Sequence, residues 1–235
     1  MINLIKVNSK KKITKLKKKY LFIIPARAGS TRLKNKNKKK LKGKPLIYWT
    51  LKELTKIKNK YQIVVSSDDN EIIKISKKMK FDAPFKRPYQ LCTKTSKIIK
   101  TIQHALKFYQ NHNVHFENIC LLQVTSPLRK LKDIQKSLQI FEKNKSDTLI
   151  SVFRLSKIFD KNLFYKHKKN HIISYQKVIK SSLYVMNGPA VLITSVKNIQ
   201  KNKLYGKKIS HYEMPYHQSF DINCDADFKI CEKLI

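Results

Sequence analysis

The chain has 235 residues, 41% of them hydrophobic and 29% charged, a balance that suits one packed globular unit and excludes a disordered chain. No apolar run approaches the ~20 residues needed to span a bilayer, which excludes a transmembrane helix. The formal net charge is +37, which points first to a nucleic-acid partner.

The kind of base argues against that partner. Of the 52 basic residues 47 are lysine, and with 16 asparagines and only 4 glycines the bias is that of an AT-rich coding sequence. Most lysines then read as solvated surface. Against that drift, positions that remain Arg or Gly are the informative ones, and Arg27, Gly29, Arg32 and Gly43 crowd into one short stretch. Cys92, Cys120, Cys224 and Cys231 show no CxxC spacing and read as thiols of a reducing, cytoplasmic protein.

Residues 1–19 are lysine-rich without a coherent apolar face and read as a disordered basic arm, with residues 20–235 as a single domain. The run YLFIIPA, Tyr20–Ala26, predicts a buried central strand. Pro45 then opens an amphipathic helix to Ile57. Gln62–Ser66 reads as a second buried strand, and Asp69–Lys80 as a helix with acidic residues at its amino end. A helix over Thr95–Tyr109, a strand over Asn118–Val124, a helix over Leu131–Lys143 and a strand over Thr148–Phe153 continue the alternation. Residues 154–186 break it and read as an excursion or hairpin suited to a partner subunit. A strand at Ala190–Thr194 and a helix at Asp225–Ile235 close the chain. The pattern predicts an α/β fold, a Rossmann-like doubly wound and mainly parallel sheet. Such sheets bind ligands beyond the carboxyl ends of their strands.

At the end of the first strand the sequence runs Arg27-Ala-Gly-Ser-Thr-Arg-Leu, then Lys34-Asn-Lys-Asn37, then Leu41-Lys-Gly-Lys-Pro45. A loop of small residues leaving a central strand can turn backbone N–H groups toward phosphate, with Arg and Lys to neutralise it. It is neither a Walker A loop nor a GxGxxG. The stretch IIPARAGSTRLKNKNKKKLKGKPLI resembles the opening of the CMP-sugar synthetases, the cytidylyltransferases of sialic-acid-like nonulosonic acids. The resemblance continues in order through IVVSSDD, RPYQLCTKTS, LLQVTSPLR, NGPAVLIT and SFDINCDADF, covering nearly everything after the arm.

That resemblance implies transfer of CMP from CTP to the anomeric hydroxyl of a nonulosonic acid, with Mg²⁺ as cofactor and pyrophosphate leaving. N-Acylneuraminate is the first-choice sugar, then legionaminate or pseudaminate. Carried over by position, Arg27, Ser30, Lys36, Asn37 and Arg87 would hold the nucleotide, with Lys36 and Arg27 the catalytic pair. Gln123, Asn187 and Lys177 would face the sugar. Asp221 and Asn223 stand where the family has Asp-x-Asp and would hold the metal. On a strand both side chains would point to one face, and the neutral Asn223 would weaken the site. Asp225 and Asp227 suit a helix amino terminus, Asp68 and Asp69 read as caps of the next helix or as a second acidic site at a strand end, and His104 as structural. A homodimer is implied, with no specific nucleic-acid partner and no membrane. The rivals are a CMP-Kdo synthetase or other sugar nucleotidyltransferase on the same fold and, more distantly, a nucleic-acid-binding protein.

Overall fold

A computed structural model describes residues 16–30, 33–155, 164–168, 171–174 and 183–235. Its centre is β1, Leu16–Pro25. Tyr20–Ile24 are at most 2% exposed because helices cover both faces of the sheet. Phe22 and Ile24 face one apolar cluster, and Leu21 and Ile23 the other. A strand buried on two faces has no polar alternation, which is why this run is continuously apolar. β1 begins at Leu16, inside the stretch read as a disordered arm. Leu16, Lys17 and Lys18 register with Val114, His115 and Phe116 of the neighbouring strand. Backbone pairing is indifferent to the lysines, and the ammoniums of Lys18 and Lys19 reach Gln62 and Glu142, each at 2.8 Å.

Two two-residue strands, β2 at Lys40–Leu41 and β3 at Lys44–Pro45, lead into helix α1, Leu46–Leu54. Its buried positions Leu46, Ile47, Thr50, Leu51 and Leu54 form one helical stripe. Pro45 stands just before the first turn, where a missing N–H costs nothing. Then come β4, Gln62–Ser66, and α2, Asn70–Lys78, capped by the Asp69 side chain accepting from Glu71 N at 2.9 Å. Next are α3, Ile98–Asn111, β5, Val114–Leu121, and α4, Leu131–Lys143. They are followed by β6, Thr148–Arg154.

Within residues 154–186 lie a hairpin, β7 Phe164–Lys168 with β8 His171–Ser174, and β9, Tyr184–Met186. The chain then forms β10, Leu192–Ser195, α5, Val196–Gln200, β11, Ile209–Glu213, and α6, Asp225–Leu234. The main path of the sheet runs β11-β6-β10-β5-β1-β4, with β9 paired to β6. β1 is parallel to β4 and β5, and β11 to β6, whereas β10 is antiparallel to both of its neighbours. The expected α/β fold with a mainly parallel sheet is therefore what forms. The reversed β10 follows from β9, which already runs against β6. The chain re-enters the sheet from the carboxyl side and needs no crossover helix.

The edge strand β11, which the periodicity does not predict, is tied to α4 by one buried contact. Tyr212 Oη donates to Asp133 Oδ1 at 2.9 Å, while Asp133 Oδ2 accepts from Lys130 N at 2.8 Å at the start of that helix. Asp133 is fully buried. Tyr212→Phe should therefore cost about 1–3 kcal/mol by leaving a buried carboxylate oxygen short of a donor. A urea midpoint unchanged from the parent protein would show that water replaces the hydroxyl.

Candidate active site

The carboxyl ends of β1, β4 and β5 lie side by side, so the segments leaving them converge. Between them is a cavity of about 460 Å³ lined by Arg27, Ser30, Lys36, Asn37, Arg87 and Gln123 among others. These six come from three separate loops, and all were singled out from the sequence. A larger cavity of about 1230 Å³ opens at the opposite end of the strands, near Lys18–Tyr20 and Ile57–Ile63. It contains none of these residues, and in parallel sheets chemistry collects at the carboxyl end.

The loop after β1 is held by its backbone. Ala26 N donates to Ser66 O at 2.9 Å, Ala28 N to Asp68 Oδ1 at 2.8 Å, and Asn37 Nδ2 to the Arg27 carbonyl at 2.8 Å. Asp68 is thus a loop anchor, whereas its neighbour Asp69 caps α2. A Cβ at Gly29 would meet nothing in the protein, so the fold itself does not demand glycine there.

The cations of the site are held by neutral oxygens. The Arg27 guanidinium donates to the carbonyls of Cys92 and Thr93. Arg87 is 4% exposed and donates to the Ser66 hydroxyl and carbonyl. Burial lowers its pKa from the ordinary guanidinium value, and the Cys92 thiol nearby is pushed up to about 11, chiefly by burial. Lys36 lies in a short 3₁₀ turn, Lys36–Lys38, and its Nζ donates to the Ile222 carbonyl at 2.6 Å. Ion pairs of Lys38 with Asp69 and Glu71, at 3.2 and 2.9 Å, and of Lys39 with Asp225 at 2.5 Å fasten that turn to α2 and α6.

Ile222 separates Asp221 from Asn223. The segment is not a strand, yet the two side chains meet, with Asn223 Nδ2 donating to Asp221 Oδ2 at 2.7 Å. Asp221 Oδ1 is buried with no hydrogen-bond partner among the described residues. Gly188, at φ +75°, lies beneath it, and a Cβ there would come within 2.3 Å of Asp221 Cγ. This glycine exists to let the carboxylate in. An unpaired buried carboxylate oxygen beside an amide is a donor set that fits a hard divalent cation, completed by water or phosphate oxygens. Among the described residues no group of three or more His, Cys, Asp or Glu side chains is arranged to hold a metal without such help. Asp227 has another task, accepting from Asn223 N at 2.7 Å and Cys224 N at 2.9 Å at the start of α6. Burial pushes its carboxyl up, but those amides, the Cys224 thiol and the Lys36 charge outweigh it and leave the pKa below the usual range.

Two sugar-side expectations fare differently from the rest. Asn187 is 2% exposed and its amide is spent inside the protein, accepting from Ser151 Oγ at 2.6 Å and donating to Met214 Sδ and Ser219 Oγ. It does not line the cavity. Lys177 lies outside the described residues. His104 packs edge-on against Phe85, in keeping with a structural reading, and burial lowers its pKa. One arginine was passed over. Arg129 is 1% exposed and bonds the carbonyls of Gln123 and Ala190. Its retention in a lysine-biased chain was the available signal.

A family profile described as cytidylyltransferase matches residues 21–233. The chain belongs to that family. It is 29% identical to a CMP-N,N'-diacetyllegionaminic acid synthase of Legionella pneumophila, with 92% of this chain and 95% of that one aligned. A pseudaminic acid cytidylyltransferase of Campylobacter jejuni is 27% identical over 92% of this chain and 96% of its own. An N-acylneuraminate cytidylyltransferase of Escherichia coli is 26% identical over 92% of this chain, but only 52% of its own length is covered. Among solved structures, a CMP:2-keto-3-deoxy-manno-octonic acid synthetase in complex with CTP has a TM-score of 0.68 at 14% identity, covering 92% of this chain and 98% of that one. At that identity the likeness speaks for the fold alone.

Lys36 is where the loop after β1 meets the Asp221–Asn223 segment. Lys36→Ala should lower turnover of this cytidylyltransferase at least ~10²-fold, as for loss of a charge acting in the transition state. Circular dichroism and thermal unfolding should stay close to the parent. A rate within twofold of the parent would remove Lys36 from the chemistry.

Proposed function

We propose that the protein transfers CMP from CTP to the anomeric hydroxyl of a nonulosonic acid. The observation that carries the reading is the convergence of Arg27, Lys36 and Arg87 on one cavity at the strand ends, next to a carboxylate with an unpaired buried oxygen. Three positive charges gathered at one cavity favour a ligand that carries negative charge. A nucleoside triphosphate and a carboxylated sugar are both anions and supply it. In the reaction the sugar hydroxyl oxygen forms a bond to the α-phosphorus and gives up its proton to water, the bond from that phosphorus to the oxygen bridging to the β-phosphate breaks, and pyrophosphate departs with that electron pair. Arg27, Ser30, Asn37 and Arg87 bind the nucleotide. Lys36 offsets the charge that builds on the phosphate oxygens, and Gln123 faces the sugar. Asp221 and Asn223 would hold Mg²⁺, which when bound neutralises phosphate charge.

The relatives named for legionaminic and pseudaminic acids align with this chain end to end. That supports a sugar of this kind ahead of N-acylneuraminate, whose named relative is about twice as long. We also propose a homodimer in a cytoplasmic setting. β9 exposes Tyr184, Val185 and Met186 and, among the described residues, pairs only with β6, an apolar strand edge that a second copy can cover. Among the described residues no helix is long and apolar enough to cross a membrane.

Pyrophosphate release from CTP and Mg²⁺ against a panel of legionaminic, pseudaminic and N-acetylneuraminic acids and Kdo tests the reading. Release with one nonulosonic acid is expected. Release with Kdo alone moves the protein to the rival sugar class, and silence with folded protein overturns cytidylyl transfer to either class. Asn223→Asp should lower the Mg²⁺ concentration needed for half-maximal rate. It should also enlarge the gain in melting temperature on adding Mg²⁺, since two carboxylates in contact repel until a cation joins them. If neither moves, position 223 does not face the metal.

A further inference from the structure

Arg129 is the largest fully buried side chain of the described residues, and its guanidinium bridges three segments. Nη1 donates to the Gln123 carbonyl at 3.0 Å and the Ala190 carbonyl at 2.7 Å, and Nη2 to Thr50 Oγ1 at 2.8 Å. Those oxygens belong to the loop after β5, the approach to β10, and α1. From this geometry we infer that Arg129 is a positioning residue for the sugar side of the site: it fixes from behind both the Gln123–Thr125 wall and the segment that seats Asp221. The inference rests on the cytidylyl-transfer reading above.

The chain of contacts is short. Thr125 Oγ1 donates to Gln123 Oε1 at 3.2 Å, the Thr125 carbonyl accepts from Ile222 N at 2.8 Å, and the Ile222 carbonyl accepts from Lys36 Nζ. Gly188, against which Asp221 packs, lies two residues before Ala190. The Gln123–Val124 peptide is planar, so a carbonyl held on Arg129 sends the Val124 N–H the opposite way, and Val124 lines the cavity. Packing alone does not account for the residue. Burying a cation is costly where an apolar side chain of similar volume would fill the space. Lysine, to which this chain drifts, has no planar fork able to hold three oxygens at once. Burial pushes the guanidinium pKa down to about 10, so the side chain is still a cation at neutral pH.

The test uses Arg129→Lys, Arg129→Met and Thr50→Val in the full chain, with the parent enzyme as control. Each folded variant is assayed for steady-state kinetics with the sugar the parent accepts, and for hydrogen exchange at residues 122–125 and 222. Both Arg129 variants should lose at least about tenfold in kcat/KM for the sugar, while KM for CTP stays within about threefold, as for a reactant held slightly out of place. Exchange at Ile222 should accelerate. Thr50→Val, which removes only the Nη2 acceptor, should shift both readouts the same way by less, and it decides the matter if the Arg129 variants fail to fold. Unchanged exchange and an unchanged sugar kcat/KM in a folded variant would overturn the inference, as would equal losses for CTP and sugar. A parent enzyme silent across the sugar panel would instead overturn the cytidylyl-transfer reading, with the exchange measurement still deciding whether Arg129 holds these loops.

Discussion

β1 is paired on both edges and covered on both faces, and that double enclosure determines where chemistry can sit. Leu21–Ile24 are wholly buried on both faces, and a polar side chain there would lose its water. Parallel pairing with β4 and β5 brings three strand ends to one level, and the segments leaving them form the first open ground on which charge can be set. Arg27 follows β1 by two residues, Arg87 lies in the segment that leaves β4 and runs back past it, and Gln123 follows β5 by two. The site is a consequence of the sheet. The last contributor comes from much later in the chain, when Ile222 N bonds the Thr125 carbonyl and draws Asp221 and Asn223 to the same end.

The net charge of +37 and the charge of the site are different matters. Exposed lysines lose their mutual influence over a Debye length of about 8 Å at physiological salt. They say little about function. Arg87 and Arg129 are at most 4% exposed and are screened far less. Each guanidinium is planar and spreads several donors, so it can be satisfied by carbonyl and hydroxyl oxygens while keeping its charge. The result is a fixed cation at the cavity in Arg87, and in Arg129 a buried one whose donors hold the loops behind it. Orientation is settled before the substrate arrives, the condition under which such groups contribute most to a reaction that creates charge.

Much of this was legible in the sequence, and the misses have identifiable causes. Continuous apolar runs marked β1 and β4, and the stripe of buried positions marked α1, because burial on the core side leaves a periodic record. Leu16–Lys19 was misassigned because strand pairing is a backbone interaction, and lysine at a strand's entry leaves no such record. β11 was missed for a related reason: Ile209–Glu213 buries only Tyr212, too little for a period to show. Arg27, Lys36 and Asn37, which line one cavity, stood out because they sit in one contiguous loop of unusual composition. Asn187 was drawn to the sugar by its neighbour. Gly188 is indeed shaped by Asp221, but the side chain one residue earlier points into a buried network with Ser151 and Ser219, and one-residue changes of direction are invisible to a motif.

On the proposed reading of Asp221 and Asn223 as metal ligands, Gly188 and Asn223 act together. A carboxylate pair in place of Asp221 and Asn223 would repel whenever no cation was bound. The amide instead donates to Asp221 Oδ2, leaving Oδ1 unpaired in a space that only glycine at 188 makes available. Half of the carboxylate is thus satisfied by the protein and half is reserved. A cation arriving with its own phosphate oxygens needs one such oxygen more than it needs two competing charges. On that reading, an amide at 223 lowers affinity for the free ion, steadies the loop without it, and would make the metal lean on the phosphates of the nucleotide.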